Sequence, residues 1–208
     1  KGLRRDGKGW SVDLLGEATI SDQEADRYRD RCVDALRTLA RSAAAQDEAL
    51  DRDPFGTVPD VQLSLKLSAL TPHLDPIDPE GTYASIASRL RDIVDIAKSV
   101  GASLIFDMEQ AETKDLIITI FTRLFSEAPY LRFGHAGIAM QAYHRQTARD
   151  IDRLMEWVRT RDAPITIRLV KGAYWDSDTI HYRQKGWPVP LFEKKADTDA
   201  NFEGLVQT

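Results

Sequence analysis

Asp13 and Glu17, Lys66, Asp107, Gln141 and Arg168 each interrupt or end an otherwise apolar run. The runs are "WSVDLLGEA" (10–18), "VQLSLKLSAL" (61–70), "SLIFDMEQ" (103–110), "RFGHAGIAMQAY" (132–143) and "ITIRLVKGAYW" (165–175). The last is the most informative. It begins with β-branched and aliphatic residues, as a buried strand does, yet it carries Arg168 and Lys171, followed by Gly172, Ala173, Tyr174 and Trp175. Two cations in or at the end of an apolar strand are costly unless an anion meets them. Gly172 lets backbone N–H groups come close to a ligand, and the neighbouring Arg168 and Lys171 suit a phosphorylated or electron-rich one.

The other interruptions admit two kinds of reading. Lys66 alternates with Leu65 and Leu67, which puts it on the face of Ser64 and Ser68. It is an anion hook, a Schiff-base nucleophile, or simply a strand-end lysine reaching solvent. Asp107 ends an apolar run, and an ion pair with Arg168 on a neighbouring strand would account for both residues without chemistry. Gln141 serves a ligand or satisfies backbone groups. Tyr174 and Trp175 pack at a rim or form a cofactor platform. Metal chemistry has little support, because His73, His135, His144 and His181 lie far apart with no paired spacing. No nucleophile elbow or phosphate-binding P-loop is spelled out. Two enzyme readings remain: a lysine-dependent aldolase using Lys66 or Lys171, and a cofactor enzyme whose phosphates and polar ring edge meet Arg168, Lys171 and Gln141.

These residues must be carried by regular elements. Between the apolar runs lie amphipathic helical patterns. "SDQEADRYRDRCVDALRTLARSAAAQ" opens on Ser21 with Glu24 three places on, a capping-box spelling. "DPEGTYASIASRLRDIVDIAKSVG" repeats apolar residues at helical spacing and stops at Gly101. "TKDLIITIFTRLFSEAP" and "QTARDIDRLMEWVRTRD" follow the same plan. Strand alternating with helix predicts βαβ units around a parallel sheet. An open flavodoxin-like sheet and the first part of a (β/α)₈ barrel both fit that order. One polar residue per strand, near the C-terminal ends, favours the TIM-type barrel, present for about its first five β/α units. "DRDPFGTVPD" (51–60) reads as a connection within one domain.

Composition narrows the class. The 208 residues are 42% hydrophobic and 29% charged, enough for one sizeable core. A net charge of -5 argues against a general nucleic-acid binder. The single cysteine, Cys32, excludes a disulfide framework within the chain. No apolar stretch approaches the ~20 residues of a membrane span, and "KGLRRDGKGW" lacks the apolar centre of a signal peptide. Peripheral membrane contact is compatible with all of this.

Taken in order, "DLLGEA", "SLKLSAL", "FDMEQ", "MQAY", "IRLVKGAYWDSD" and "KKADTDANF" resemble the flavin-dependent proline dehydrogenase family. The likeness is greatest to the proline dehydrogenase domain of bacterial bifunctional proline-catabolic enzymes, and the "RLVKGAYWDS" string is its most specific part. The resemblance implies a distorted (β/α)₈ barrel that binds FAD and oxidises L-proline to 1-pyrroline-5-carboxylate, passing electrons to a quinone. It implies that Lys66 lies beside the proline carboxylate, that Asp107 is the active-site aspartate, and that Met108 gives the flavin a backbone contact. It further implies that Gln141 hydrogen-bonds the isoalloxazine and that Arg168 sits at its N5 side. Val170, Lys171, Gly172, Ala173, Tyr174 and Trp175 would wrap the cofactor, and Thr198 would touch it. The family places a histidine-bearing sixth strand and a late helix with paired arginines beyond these motifs, so residues 1–208 read as a partial barrel domain lacking its C-terminal strands and last helix. The same resemblance implies a cytoplasmic enzyme, peripheral at the inner membrane face, with an aldehyde dehydrogenase domain fused in some relatives.

Overall fold

A computed structural model describes residues 11–14, 16, 18–44 and 59–207. Glu17, the segment 1–10 and most of the 51–60 connection lie outside the described residues. The alternation read from the sequence is realised: β1 (Val12–Asp13), α1 (Asp22–Ala44), β2 (Gln62–Leu65), α2 (Pro79–Val100), β3 (Ser103–Phe106), α3 (Lys114–Leu124), β4 (Ala136–Gln141), α4 (Thr147–Val158), β5 (Thr166–Val170), α5 (Trp175–Gln184) and α6 (Lys195–Val206). The strands form one five-stranded sheet in the order β1-β2-β3-β4-β5. Parallel pairing sets Leu63 opposite Leu104 and Leu65 opposite Phe106. This is the parallel α/β plan of the first five β/α units of a TIM-type barrel. Each of the five apolar runs contains one strand.

By contact the chain divides into two compact units: the described residues up to Phe106 with His135–Gly137, and Asp107–Gly134 with Ile138–Thr208. In the first unit, α1 starts where the capping box was read. Ser21 Oγ accepts from the Glu24 N–H at 3.3 Å, and the Glu24 carboxylate accepts from the Ile20 N–H at 3.0 Å. The buried stripe Ala25, Tyr28, Cys32 and Leu36 recurs at three- and four-residue intervals and packs along α2. Burial pushes the Cys32 thiol up to about 12, so it is an inert packing residue. Helix α2 begins with Pro79 behind the cap Asp78, whose carboxylate accepts from the Gly81 N–H at 2.9 Å. It ends at Gly101, whose φ of 68° supplies the left-handed C-cap.

One expectation fails in this unit. Strand β2 stops at Leu65, and Lys66 caps the following 3₁₀ turn Leu67–Ala69 instead of continuing the strand. The alternation argument presumed one solvated face, whereas Leu63, Ser64 and Leu65 are all buried. A strand of a parallel sheet is covered on both faces, so period two carries no in/out information there. Helices α5 and α6 were also missed. In α5 Asp178 and Thr179 are buried while Ile180 is exposed, and in α6 Thr198 is buried while Val206 is exposed. The usual apolar stripe is inverted in both.

Arg89 ties the first unit together. Nearly buried, it bonds the carboxylates of Asp26 at 2.7 Å and Asp22 at 2.9 Å on α1, and the carbonyls of Leu70 and Ser85. Arg89→Met keeps the apolar stem and removes those bonds. We expect a loss of about 2 kcal/mol, the scale of hydrogen bonds to a charged group, read as a lower urea midpoint with an unchanged slope. An unchanged midpoint would show that the helix pair holds through its apolar stripe alone.

Candidate active site

Three of the four strand residues singled out from the sequence fall at or just past a strand end, and the fourth lies within its strand. Lys66 follows β2, Asp107 follows β3, Gln141 is the last residue of β4, and Arg168 is the middle residue of β5. In the second unit, Arg168 Nη2 bonds Asp107 Oδ1 at 2.5 Å. Strand β4 stands between β3 and β5 in the sheet order, so the partners come from alternate strands and not from neighbouring ones. Asp107 keeps 10% of its side chain exposed and Arg168 keeps 39%. The guanidinium is therefore oriented by the carboxylate and still accessible to a ligand. The ion pair read from the sequence is thus present, with part of the guanidinium left accessible.

Gln141 is 2% exposed and spans two turns. Its Nε2 donates to the Glu109 carbonyl at 2.9 Å, and its Oε1 accepts from the Ala173 N–H at 3.1 Å. An amide nitrogen has two N–H donors, so Glu109 takes only one. Met108, directly after Asp107, is buried.

The turn after β5, with Gly172 at its centre, builds a cleft of about 330 Å³, lined by Tyr143, Lys171, Gly172, Trp175, Phe192, Glu193, Lys195 and Thr198. Lys171, Gly172, Trp175 and Thr198 were all expected at a cofactor. Gly172 has φ +138°, and a Cβ there would lie 1.6 Å from Cδ1 of Tyr143. Only glycine lets this turn pass over the tyrosine ring. Trp175 is held in the wall by its indole N–H on the Phe192 carbonyl at 2.9 Å. Val170 ends β5, and its carbonyl accepts from the Ala142 N–H at 2.7 Å; Ala173 and Tyr174 continue the turn.

One side of the cleft carries two lysines that share one carboxylate, and Glu193 lines the same cleft. Lys171 and Lys195 each place Nζ 2.5 Å from a different oxygen of Asp199. The two ammonium groups hold the Asp199 carboxyl below its usual range, and Asp199 in turn raises Lys171. Aromatic walls, a glycine turn open to close backbone approach and two fixed ammonium groups suit a planar cofactor with phosphates, and the donor set fits FAD. Lys66 belongs to the first unit, where its ammonium pairs with Asp13 at 3.0 Å. Tyr143, Phe192, Glu193, Lys195 and Asp199 escaped the sequence reading as site residues. The repeated cations in "EKKADTD" were the available signal for Lys195 and Asp199.

Among the described residues no group of His, Cys, Asp and Glu could hold a metal ion, and no helix is long and apolar enough to cross a membrane.

The sheet, with a helix after each strand, is that of a parallel α/β domain. A family model for proline dehydrogenase matches residues 1–208, and the chain belongs to that family. It is 25% identical over 201 residues to the bifunctional protein PutA of Salmonella typhimurium, covering 96% of this chain and 14% of that protein. It is 26% identical over 207 residues to proline dehydrogenase 1 of Bacillus subtilis, covering 100% of this chain and 54% of that one. The crystal structure of proline utilization A from Bdellovibrio bacteriovorus inactivated by N-propargylglycine superposes with a TM-score of 0.92 at 37% identity, over 97% of this chain and 21% of that one. The chain thus spans from 14% to 54% of these curated relatives.

Beneath the site His144 is 2% exposed, and its Nε2 has no hydrogen-bond partner. Burial, aided by the nearby Lys114 ammonium, pushes its pKa down to about 4 from 6.5. Below pH 6.5 the unfolded chain takes up a proton that the folded imidazole refuses, so stability falls from there and the loss is complete below about 4. The shift corresponds to roughly 3 kcal/mol. His144→Phe should remove that component, giving a smaller drop in urea midpoint between neutral pH and about pH 4 than the parent shows. Equal drops in the two proteins would mean that the histidine is not buried uncharged.

Proposed function

We propose that the protein oxidises L-proline to 1-pyrroline-5-carboxylate on bound FAD, with a quinone as the onward electron acceptor. The observation that carries the reading is the cleft around Gly172, where Lys171, Trp175 and Thr198 meet, in a chain of the proline dehydrogenase family. FAD when bound supplies the hydride acceptor, which no amino-acid side chain provides. The chain's own residues then have separate tasks. Lys171 and Lys195 offer fixed positive charge to phosphates, and Trp175 and Phe192 give apolar walls. Gln141 keeps one amide N–H for the polar edge of the ring. Arg168, oriented by Asp107, would offer a permanent cation to the ring of a bound flavin, a group able to stabilise negative charge there, which is the productive kind of binding. On the same reading Lys66 recognises the proline carboxylate.

A quinone acceptor makes a peripheral position at the inner face of the cytoplasmic membrane the natural location.

The lysine-dependent aldolase reading is weaker on electrostatic grounds. An imine-forming lysine must be neutral to attack, so its pKa should be depressed. Asp199 raises Lys171, and Asp13 pairs with Lys66.

Arg168→Met tests the assignment in the full-length enzyme. The side chain keeps similar length, so packing should change little. We expect kcat for proline to fall about 10²–10³-fold, the usual cost of removing one preorganised charge-stabilising group. The flavin reduction potential should fall in the same variant. Normal turnover at an unchanged potential would remove Arg168 from the mechanism, and an unfolded variant would reduce the Asp107 pair to a structural one.

A further inference from the structure

We infer that Asp178 is a positioning residue that ties the turn after β3 to the turn after β5, an inference that rests on the reading of these turns as the flavin site. Asp178 lies in the first turn of α5 and is 3% exposed, whereas Asp176 beside it is exposed. Burying a carboxylate this far is costly without compensation. Among the described residues no Lys or Arg forms an ion pair with it. Its oxygens accept instead from two groups that belong to the site framework: the Ala111 backbone N–H at 3.1 Å and the Tyr143 hydroxyl at 3.3 Å.

The second of these bonds fixes a hydrogen. A phenol has one O–H to donate, and Asp178, lacking a proton of its own in the ionised form, can only accept it. With its hydrogen committed, the Tyr143 oxygen is an acceptor for the Tyr174 N–H at 3.4 Å. The same tyrosine ring is the surface against which Gly172 lies. The result is a continuous path from Ala111 through Asp178 and Tyr143 to Gly172 and Tyr174. It runs beside the shorter strut from Glu109 through Gln141 to Ala173. Two side-chain struts therefore hold residues 109–111 against residues 172–174.

The struts differ in kind. Gln141 is buried and bonds both turns directly, and Tyr143 lines the cleft. Asp178 does not line it and acts only through the other two. Its effect on the site is geometric: it keeps the segment that follows Asp107 and Met108 in register with the segment that follows Arg168.

The test uses the full-length protein with Asp178→Ala and Asp178→Asn. The readouts are amide hydrogen exchange at Ala111 and Tyr174 and the dissociation constant of FAD measured by fluorescence quenching. The alanine variant loses both acceptors. We expect faster exchange at both amides and FAD binding weakened by roughly tenfold, the scale of one or two net hydrogen bonds. The asparagine variant keeps an oxygen for Ala111 and can donate to the Tyr143 oxygen but not accept its hydrogen, so exchange at Ala111 should stay close to the parent and the loss at Tyr174 and in FAD binding should be smaller than in alanine. Unchanged exchange and FAD affinity in the alanine variant would overturn the inference, as would an asparagine variant as impaired as alanine. Should Asp178→Ala fail to fold, Tyr143→Phe breaks the path while leaving the ring on Gly172. It should speed exchange at Tyr174 and weaken FAD binding, and parent-like behaviour in it would likewise overturn the inference. A parent protein that binds no FAD refutes the flavin reading, and the exchange comparison still decides the role of Asp178.

Discussion

The close approach of Gly172 to Tyr143 is the constraint on which the candidate site depends. A β-carbon at position 172 would overlap the tyrosine ring, and the φ of +138° suits no other residue. This contact brings the turn after β5 down onto the end of β4. It lets Ala173 and Tyr174 reach Gln141 and the Tyr143 hydroxyl, and it leaves Lys171 and Trp175 lining the cleft. A larger residue would push the turn outward and separate the groups assigned to the cofactor. The glycine is thus a structural requirement before it is a ligand contact.

The site manages its charges by pairing them without burying them completely. Arg168 is oriented by Asp107 while part of its guanidinium stays accessible. Lys171 and Lys195 are both held by Asp199 at the cleft. In each case a carboxylate fixes the position of a cation. Such pre-orientation lowers the reorganisation needed when charge develops. It also disfavours Schiff-base chemistry, where the lysine must be freed of its carboxylate to become neutral.

Much of this was legible in the sequence, for physical reasons that can be named. Asp107, Gln141 and Arg168 stood out because a polar group in an apolar run needs a partner, and each was found with one. The parallel α/β order followed from apolar runs alternating with amphipathic helices, and the α1 start from Ser21 and Glu24. Lys66 was assigned to a strand face because the alternation rule presumes a solvated side that β2 lacks. Helices α5 and α6 were illegible because their buried positions are polar. Asp178 was hidden by its location. Acidic residues are ordinary in the first turn of a helix, where they meet the positive end of the dipole, and nothing local distinguishes the buried one from its exposed neighbour Asp176. Its partners, Ala111 and Tyr143, are remote in sequence, so only the fold brings them together.

The central claim is that these residues hold a flavin that accepts a hydride from proline. The most direct measurement is the visible spectrum of the full-length protein during an anaerobic titration with L-proline. The account predicts an oxidised-flavin band that bleaches on addition of L-proline and returns with a quinone. L-alanine, which lacks the ring carbon that gives up the hydride, should leave the band unchanged. A protein without flavin, or a flavin band indifferent to proline, would contradict it.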